Sequence, residues 1–245
     1  MTTENARRVK LAGHAAEKEF AELINGKVST GSRKKDVIDS NGYVYSIKSG
    51  DKKWQIFLYG RSRLLNEIDF QGAKLIKQCL DCFPDSRENY TKNKPFYKNL
   101  LKKEMITLKQ YLNKNNNKLI FFKKSFLNNG EVDFFVIKDN GVFHVFNGEE
   151  FIKLIDTNTY LENSKAVRKD QFDFQKVIFK IEKYKTTLGE IEVRNDSKVH
   201  YREAKFWLDK KKTLQLLKSE ITKSKNLIPN KITAFGKAIN KFKIL

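Results

Sequence analysis

A chain of 245 residues with 40% hydrophobic and 32% charged content can bury a sizeable core. It carries no apolar run long enough to span a membrane. Lys+Arg outnumber Asp+Glu by 49 to 29, and a net charge of +20 points to a polyanionic partner, with nucleic acid ahead of a membrane surface. Met1-Thr2-Thr3-Glu4 lacks the charged-then-apolar layout of a signal peptide, so a cytoplasmic location is expected. Cys79 and Cys82 form a lone C-x-x-C, and His14, His144 and His200 lie far off in sequence; reduced thiols are expected there and zinc is not.

Residues 5–24 read as a helix with Ala16, Phe20, Leu23 and Ile24 on one face, ended by Asn25-Gly26. Residues 37–38 and 43–49 read as strands joined at Ser40-Asn41-Gly42. Helices are expected over 52–65, 70–82 and 96–112, with a loop over 89–95 and a break at the asparagines 113–117. Strands follow over 118–122, 132–137 and 141–146, then a short helix over 149–155 and an irregular stretch over 161–170. Further strands are expected over 176–181, 190–193 and 199–208, then a helix over 213–223 and a lysine-rich tail. The class is α/β or α+β, with a central mixed sheet flanked by helices. The expectation is one domain over 1–245: core elements in 1–85, strands in 115–210 and a basic helical tail in 211–245.

The chemistry concentrates in the first hairpin. Asp36 opens one strand and Lys48 sits in its partner, two places after Ser46. A carboxylate beside a lysine suits metal-assisted phosphodiester hydrolysis, in which the acid holds Mg²⁺ and the cation steadies the attacking water and the developing charge. A two-residue turn at Asn41-Gly42 would pair Asp36 with Ile47 and turn Asp36 away from Lys48. A three-residue loop, Ser40-Asn41-Gly42, pairs Asp36 with Ser46 and puts Asp36 and Lys48 on one face. That loop wants a left-handed residue at its end, where Gly42 stands, so it is the expected one.

The order of helix, Gly31-Ser32-Arg33-Lys34-Lys35-Asp36-Val37-Ile38 and Tyr45-Ser46-Ile47-Lys48 resembles the core of the PD-(D/E)XK nucleases, which include type II restriction endonucleases and Holliday-junction resolvases. The resemblance covers roughly the first 70 residues. It implies a restriction-endonuclease-like core, Asp36 as metal ligand, Lys48 as the catalytic lysine and the Ile47 carbonyl facing the metal. Two positions depart from the pattern: Lys35 stands where proline is common, and Ser46 where an acid is usual. Ser46 would then hydrogen-bond a metal-bound water, and Glu17 of the first helix would supply the missing carboxylate. Glu67 is a fallback; Glu19 and Glu22 read as solvent charges. Gln55 and Tyr59 match a Q-x-x-x-Y element of some relatives and, on a helix, would share a face.

Rival motifs are weaker. Glu203-Ala204-Lys205 is a literal E-x-K with Asp196 upstream, but Asn195-Asp196-Ser197-Lys198 reads as a hairpin tip. Pro84-Asp85 has no lysine-bearing strand after it, and Asp133 and Lys138 flank a strand too apolar to be other than core. Around the tip, Arg194, Asn195, Asp196, Lys198, His200, Tyr201 and Arg202 are dense in side chains able to read base edges, and a two-stranded ribbon can enter the major groove. This gives an added β-rich DNA-recognition region. Lys34, Lys35, Lys210-Lys211-Lys212 and the lysines of 223–243 read as phosphate contacts or solvated charge.

The leading expectation is a Mg²⁺-dependent, sequence-specific double-stranded DNA endonuclease of type II restriction kind, and a homodimer, since cutting two strands needs two sites. The alternatives are a structure-specific or repair nuclease of the same superfamily, and a DNA-binding protein without catalysis.

Overall fold

The computed structural model describes residues 3–30, 34–165, 167–168, 171–172, 174–195 and 199–241. Helix α1 (Thr3–Leu23) leads through β1 (Lys27–Val28) into the hairpin of β2 (Val37–Ile38) and β3 (Val44–Lys48). Next, where a helix over 52–65 was expected, comes strand β4 (Lys53–Gly60), with only α2 (Arg61–Glu67) helical. Trp54, Ile56, Phe57 and Tyr59 are buried there, and aromatic and β-branched side chains fit a pleated surface better than a helix.

Helix α3 (Gln71–Asp81) is followed by α4 (Arg87–Lys92), not a loop, because the Ser86 hydroxyl caps it by accepting from Glu88 N and Asn89 N. Helix α5 (Lys94–Leu112) precedes α6 (Asn117–Phe126), where a strand over 118–122 was expected. A short apolar run does not separate strand from buried helix; here Phe122 and Phe126 meet four apart, ring centroids 5.6 Å. The remaining elements are β5 (Phe134–Asp139), β6 (Val142–Asn147), α7 (Gly148–Thr157), β7 (Thr159–Asn163), β8 (Val167–Arg168), β9 (Gln171–Phe172), β10 (Lys176–Ile181), β11 (Thr187–Arg194), β12 (Glu203–Asp209), α8 (Lys210–Glu220), β13 (Ser224–Ile228), β14 (Ile232–Phe235) and α9 (Ala238–Lys241). Two expectations are corrected by these. The irregular stretch begins with strand β7, whose Thr159 and Leu161 are buried at a period of two. The basic helical tail contains a hairpin whose buried Ile232 and Ala234 belong to a sheet.

The central sheet is two sheets, and the chain divides into two compact units. One comprises Met1–Trp54, Phe122–Ile155 and Lys210–Leu245; the other comprises Gln55–Phe121 and Asp156–Asp209. The first holds a mixed sheet in the order β1-β2-β3-β5-β6-β14-β13, with β3–β5 and β6–β14 parallel. The second holds an antiparallel sheet in the order β4-β12-β11-β10-β7, with Phe121, Phe179 and Phe206 packed together in its core. Both fit a mixed α/β class, and no helix among the described residues is long and apolar enough to cross a membrane.

Side-chain alternation gives the mixed sheet two different faces. On one, Ala16, Phe20 and Ala21 of α1, with Ile24 just after it, pack against Val37, Tyr45, Ile47, Phe134, Val136 and Phe143. On the other, Ser46, Phe135, Phe146 and Phe235 stand in one register row, and Phe135 stacks on Phe151 of α7 at 4.1 Å. The next row carries Lys48, Ile137 and His144. Burial, then the charge of Lys218, push the His144 imidazole down to about 4, against an opposing pull from Asp139.

Two outcomes follow from this layer. Gly42 has φ +80° with open space around its Cα, so Gly42→Ala is expected to cost about 1–2 kcal/mol through backbone strain alone, and Gly42→Asn less; urea unfolding would measure both. For His144, the unfolded imidazole binds a proton near pH 6.5 that the folded one refuses until about pH 4. Stability present above pH 6.5 is therefore lost as pH falls through that window, by up to about 3 kcal/mol. His144→Gln should flatten that part of the curve, and an unchanged pH profile would refute the assignment.

Candidate active site

The hairpin has the three-residue loop. Val37 pairs with Tyr45 and Ile38 with Val44, which sets Asp36 opposite Ser46. Asp39, which sequence reasoning passed over, clamps the loop. Its Oδ1 accepts from the backbone of Asn41 and Tyr43, both at 2.9 Å, and its Oδ2 from the Tyr45 hydroxyl at 2.8 Å. An aspartate at the head of a turn is the available signal for that role. Burial, and then the Asp39 bond, raise the Tyr45 phenol far above its ordinary range, so it stays a donor. On the other side of β3, Asp133 Oδ2 accepts from Val44 N at 2.9 Å and ties the strand to β5.

Asp36, Ser46 and Lys48 meet on the sheet face away from α1. Asp36 Oδ2 accepts from Ile47 N at 2.5 Å and from Ser46 Oγ at 3.3 Å. Lys48 Nζ donates to Ser46 Oγ at 2.9 Å and to the Ile47 carbonyl at 3.2 Å, and lies 3.6 Å from Asp36 Oδ2. It also sits over the Phe135 ring, 5.8 Å from the centroid. Ser46 is fully buried, whereas the Lys48 and Asp36 side chains keep 20% and 17% exposure, so the acid and the cation reach solvent and the serine does not. The group lies at the carboxyl end of β3, which runs parallel to β5, the place where α/β sheets gather ligands.

Glu17 does not join this group. Its helix packs on the opposite face, against Tyr45 and Ile47, and its carboxylate bonds His14 Nδ1 at 3.0 Å. One-residue alternation along β3 puts Ile47 toward α1 and both its neighbours away from it. Glu19, expected in solvent, pairs with Lys138 and lies 3.8 Å from Lys231. Glu67 belongs to the second unit and pairs with Arg63 at 3.7 Å. Gln55 and Tyr59 also belong there, on strand β4; Gln55 is exposed and the Tyr59 ring stacks on Phe57 at 5.0 Å.

Hard oxygen donors are therefore Asp36, the Ile47 carbonyl and Ser46 Oγ. Among the described residues no three His, Cys, Asp or Glu side chains gather as a metal site. Mg²⁺ keeps several waters and takes phosphate oxygens, and needs only one or two protein carboxylates. Asp36 with the Ile47 carbonyl fits Mg²⁺ arriving with a phosphate; it does not make a self-sufficient cage. Cys79 is buried and Cys82 half-buried, both free, and burial first pushes the Cys82 thiol up to about 11. Neither is a thiolate ligand near neutral pH.

Most of the residues expected to read bases have partners within the fold. Asn195 is buried, accepting from Gln175 and donating to the Tyr90 hydroxyl at 2.8 Å. Tyr201 donates to the Pro84 carbonyl at 2.7 Å, and Arg202 bonds Asp85 and lies 3.8 Å from Asp81. His200 bonds Glu203 at 2.7 Å, which occupies the acid of the rival E-x-K, while Lys205 stands opposite Glu192. Arg194 is half-buried opposite Glu203. Asp196 and Lys198, with Gly31-Ser32-Arg33, lie outside the described residues. Polar side chains at a hairpin base satisfy one another before they are offered to a partner, and sequence does not separate the two uses. Lys34 bonds the Ser125 carbonyl, and Lys35 pairs with Glu131 at 3.0 Å.

No protein-family model, curated protein or solved structure matches the chain.

Asp36→Ala should strand the buried Ile47 N–H and remove the acceptor beside Lys48, at a cost of about 2–3 kcal/mol. Asp36→Asn keeps an oxygen acceptor and is expected to cost less than half of that. Equal melting temperatures for the two variants would show that the carboxylate does not hold the strand.

Proposed function

We propose that this chain is a Mg²⁺-dependent endonuclease of double-stranded DNA, of the PD-(D/E)XK kind, with Asp36 and Lys48 as its catalytic groups. The observation that carries this is the register. It puts the only acid of the β2–β3 hairpin's inner row, its serine and its lysine on one face at a strand's carboxyl end, with Lys48 Nζ 3.6 Å from Asp36. The net charge of +20 supports a polyanionic substrate.

Asp36 and the Ile47 carbonyl would hold the ion. When bound, Mg²⁺ would supply Lewis-acid stabilisation of the phosphoryl oxygens and a more acidic water. The Lys48 ammonium steadies the charge that develops on the scissile phosphate and orients the attacking water. Ser46 is a positioning residue. Its hydroxyl donates to Asp36 and its lone pair accepts from Lys48, so it fixes the spacing of the two in place of a second acid. Cutting both strands of a duplex implies two copies of the site, hence a homodimer.

Recognition of a specific sequence, the type II restriction form of this reading, has weaker support than the chemistry, because Asn195, Tyr201 and Arg202 are engaged within the fold. A second reading, DNA binding without cleavage, is favoured by the presence of a single carboxylate in the group.

Plasmid and Mg²⁺ incubated with the wild type should give cut DNA. Lys48→Ala and Asp36→Asn should each lose at least about 100-fold in rate while keeping their circular dichroism spectrum. Discrete fragments support the restriction form, and junction-only cutting supports the structure-specific form. A gel shift with no cutting by the wild type supports the second reading. Parent-like cutting by Lys48→Ala would sink the site whatever the activity.

A further inference from the structure

Helix α8 begins with Lys210-Lys211-Lys212 and has no acid in its first turn. A helix N-terminus already carries partial positive charge, so three cations there oppose the dipole, and Asp209 just before the helix is one acid set against them. Beside that turn, Asp139, Asn140, Lys211, Leu214, Gln215 and Lys218 line a pocket of about 340 Å³ between the β5–β6 turn and α8. Its one carboxylate is already used: Lys210, itself buried, pairs with Asp139 at 2.8 Å, and that bond holds the Asp139 carboxyl below its ordinary range. Lys211 and Lys218 are exposed, and Lys211 has no partner among the described residues.

Lys218 lines the pocket and also reaches the sheet beneath it. Its Nζ lies 3.4 Å from His144 Nε2, and the buried imidazole has no partner for Nδ1 among the described residues. With Lys218 as the donor, a neutral imidazole accepts at Nε2 and keeps its proton on Nδ1.

The pocket lies on the same side of the sheet as the candidate active site. Lys48, Ile137 and His144 form one register row, two strand spacings wide, or about 10 Å. The loop after Lys48 touches α8 directly, since Lys210 N donates to the Lys52 carbonyl at 2.9 Å. Lys48 ends β3 and Asp139 ends the neighbouring β5, so both features sit at the carboxyl ends of adjacent parallel strands.

We propose that the pocket between the β5–β6 turn and α8, through Lys211 and Lys218, binds a backbone phosphate of the same DNA strand that lies at Asp36 and Lys48. The chemistry recognised is a phosphodiester anion; its assignment to a DNA strand rests on the nuclease reading.

The test is binding of a labelled duplex without Mg²⁺, across a series of salt concentrations, by wild type, Lys211→Ala, Lys218→Ala and, as a control, Lys183→Ala from the exposed β10–β11 turn of the other unit. Each pocket variant should weaken binding about fivefold at about 0.15 M salt and lower the salt slope by about one, for any duplex sequence. The melting temperature of Lys211→Ala should match the wild type, since that side chain is exposed; Lys218→Ala also removes the donor to His144 Nε2, so it is read beside Lys218→Gln, which keeps an N–H donor without the charge. Pocket variants no weaker than Lys183→Ala would overturn the proposal. So would inorganic phosphate that stabilises the wild type but not Lys211→Ala while the duplex binds both alike, because the pocket would then serve a free anion. A wild type that binds and never cuts, with the pocket losses intact, removes the nuclease reading and leaves the subsite standing. Cutting with no pocket losses does the reverse.

Discussion

The Ile47 N–H is the donor on which the candidate site turns. Strand β2 begins only at Val37, so its backbone does not reach Ile47; the Asp36 carboxylate accepts that N–H instead, at 2.5 Å. A buried backbone donor must be paired. The acid is therefore held by the need to complete the sheet edge as much as by attraction to Lys48. Once Oδ2 is fixed there, Ser46 bridges to it and Lys48 closes the group at 2.9 Å from Ser46. The geometry is set before any substrate arrives, which is what electrostatic catalysis requires.

The same alternation that assembles the group also limits it. Every second residue of β3 faces α1, so α1 can supply packing but no carboxylate to the Ser46 side. The face carrying Ser46 and Lys48 is built from Phe135, Phe146, Phe151 and Phe235, with His144 as a polar exception. A layer of that kind keeps the lysine's surroundings partly dry, which strengthens each charge interaction it makes. Burial in that layer also keeps the His144 imidazole neutral near pH 7. Lys48, Asp139 and Lys210 thus lie where β3 and β5 finish and α8 begins.

Some of this was legible in the chain. The loop Ser40-Asn41-Gly42 could be chosen over a two-residue turn because only one register puts a carboxylate and a lysine together, and Gly42 supplies the required left-handed residue at φ +80°. The helices α1, α3, α5 and α7 follow from apolar periodicity, and the strands β2, β3, β5, β6, β10 and β11 from β-rich runs bounded by turn signals. The strand β4 and helix α6 did not, because short runs such as Trp54–Tyr59 and Leu119–Phe122 are apolar on every side and carry no period. Asn195 and Arg202 misled for a different reason: a side chain that can read a base can equally tie down a neighbouring helix, and the sequence holds no record of which it meets.

The sequence by itself determined local things: the hairpin loop, the register it imposes, the identity of the acid and the lysine, and a charge excess suited to a polyanion. Apart from the charge excess, those depend on residues within about a dozen positions of one another, where chain geometry leaves few options. Only the tertiary structure decided which side of the sheet each helix covers. That choice put Glu17 on the wrong face, placed the Lys210 turn of α8 beside the Lys52 loop, and made the last strands part of the first sheet. Layer choice is a long-range packing outcome, set by which apolar faces bury one another, and no local spacing encodes it.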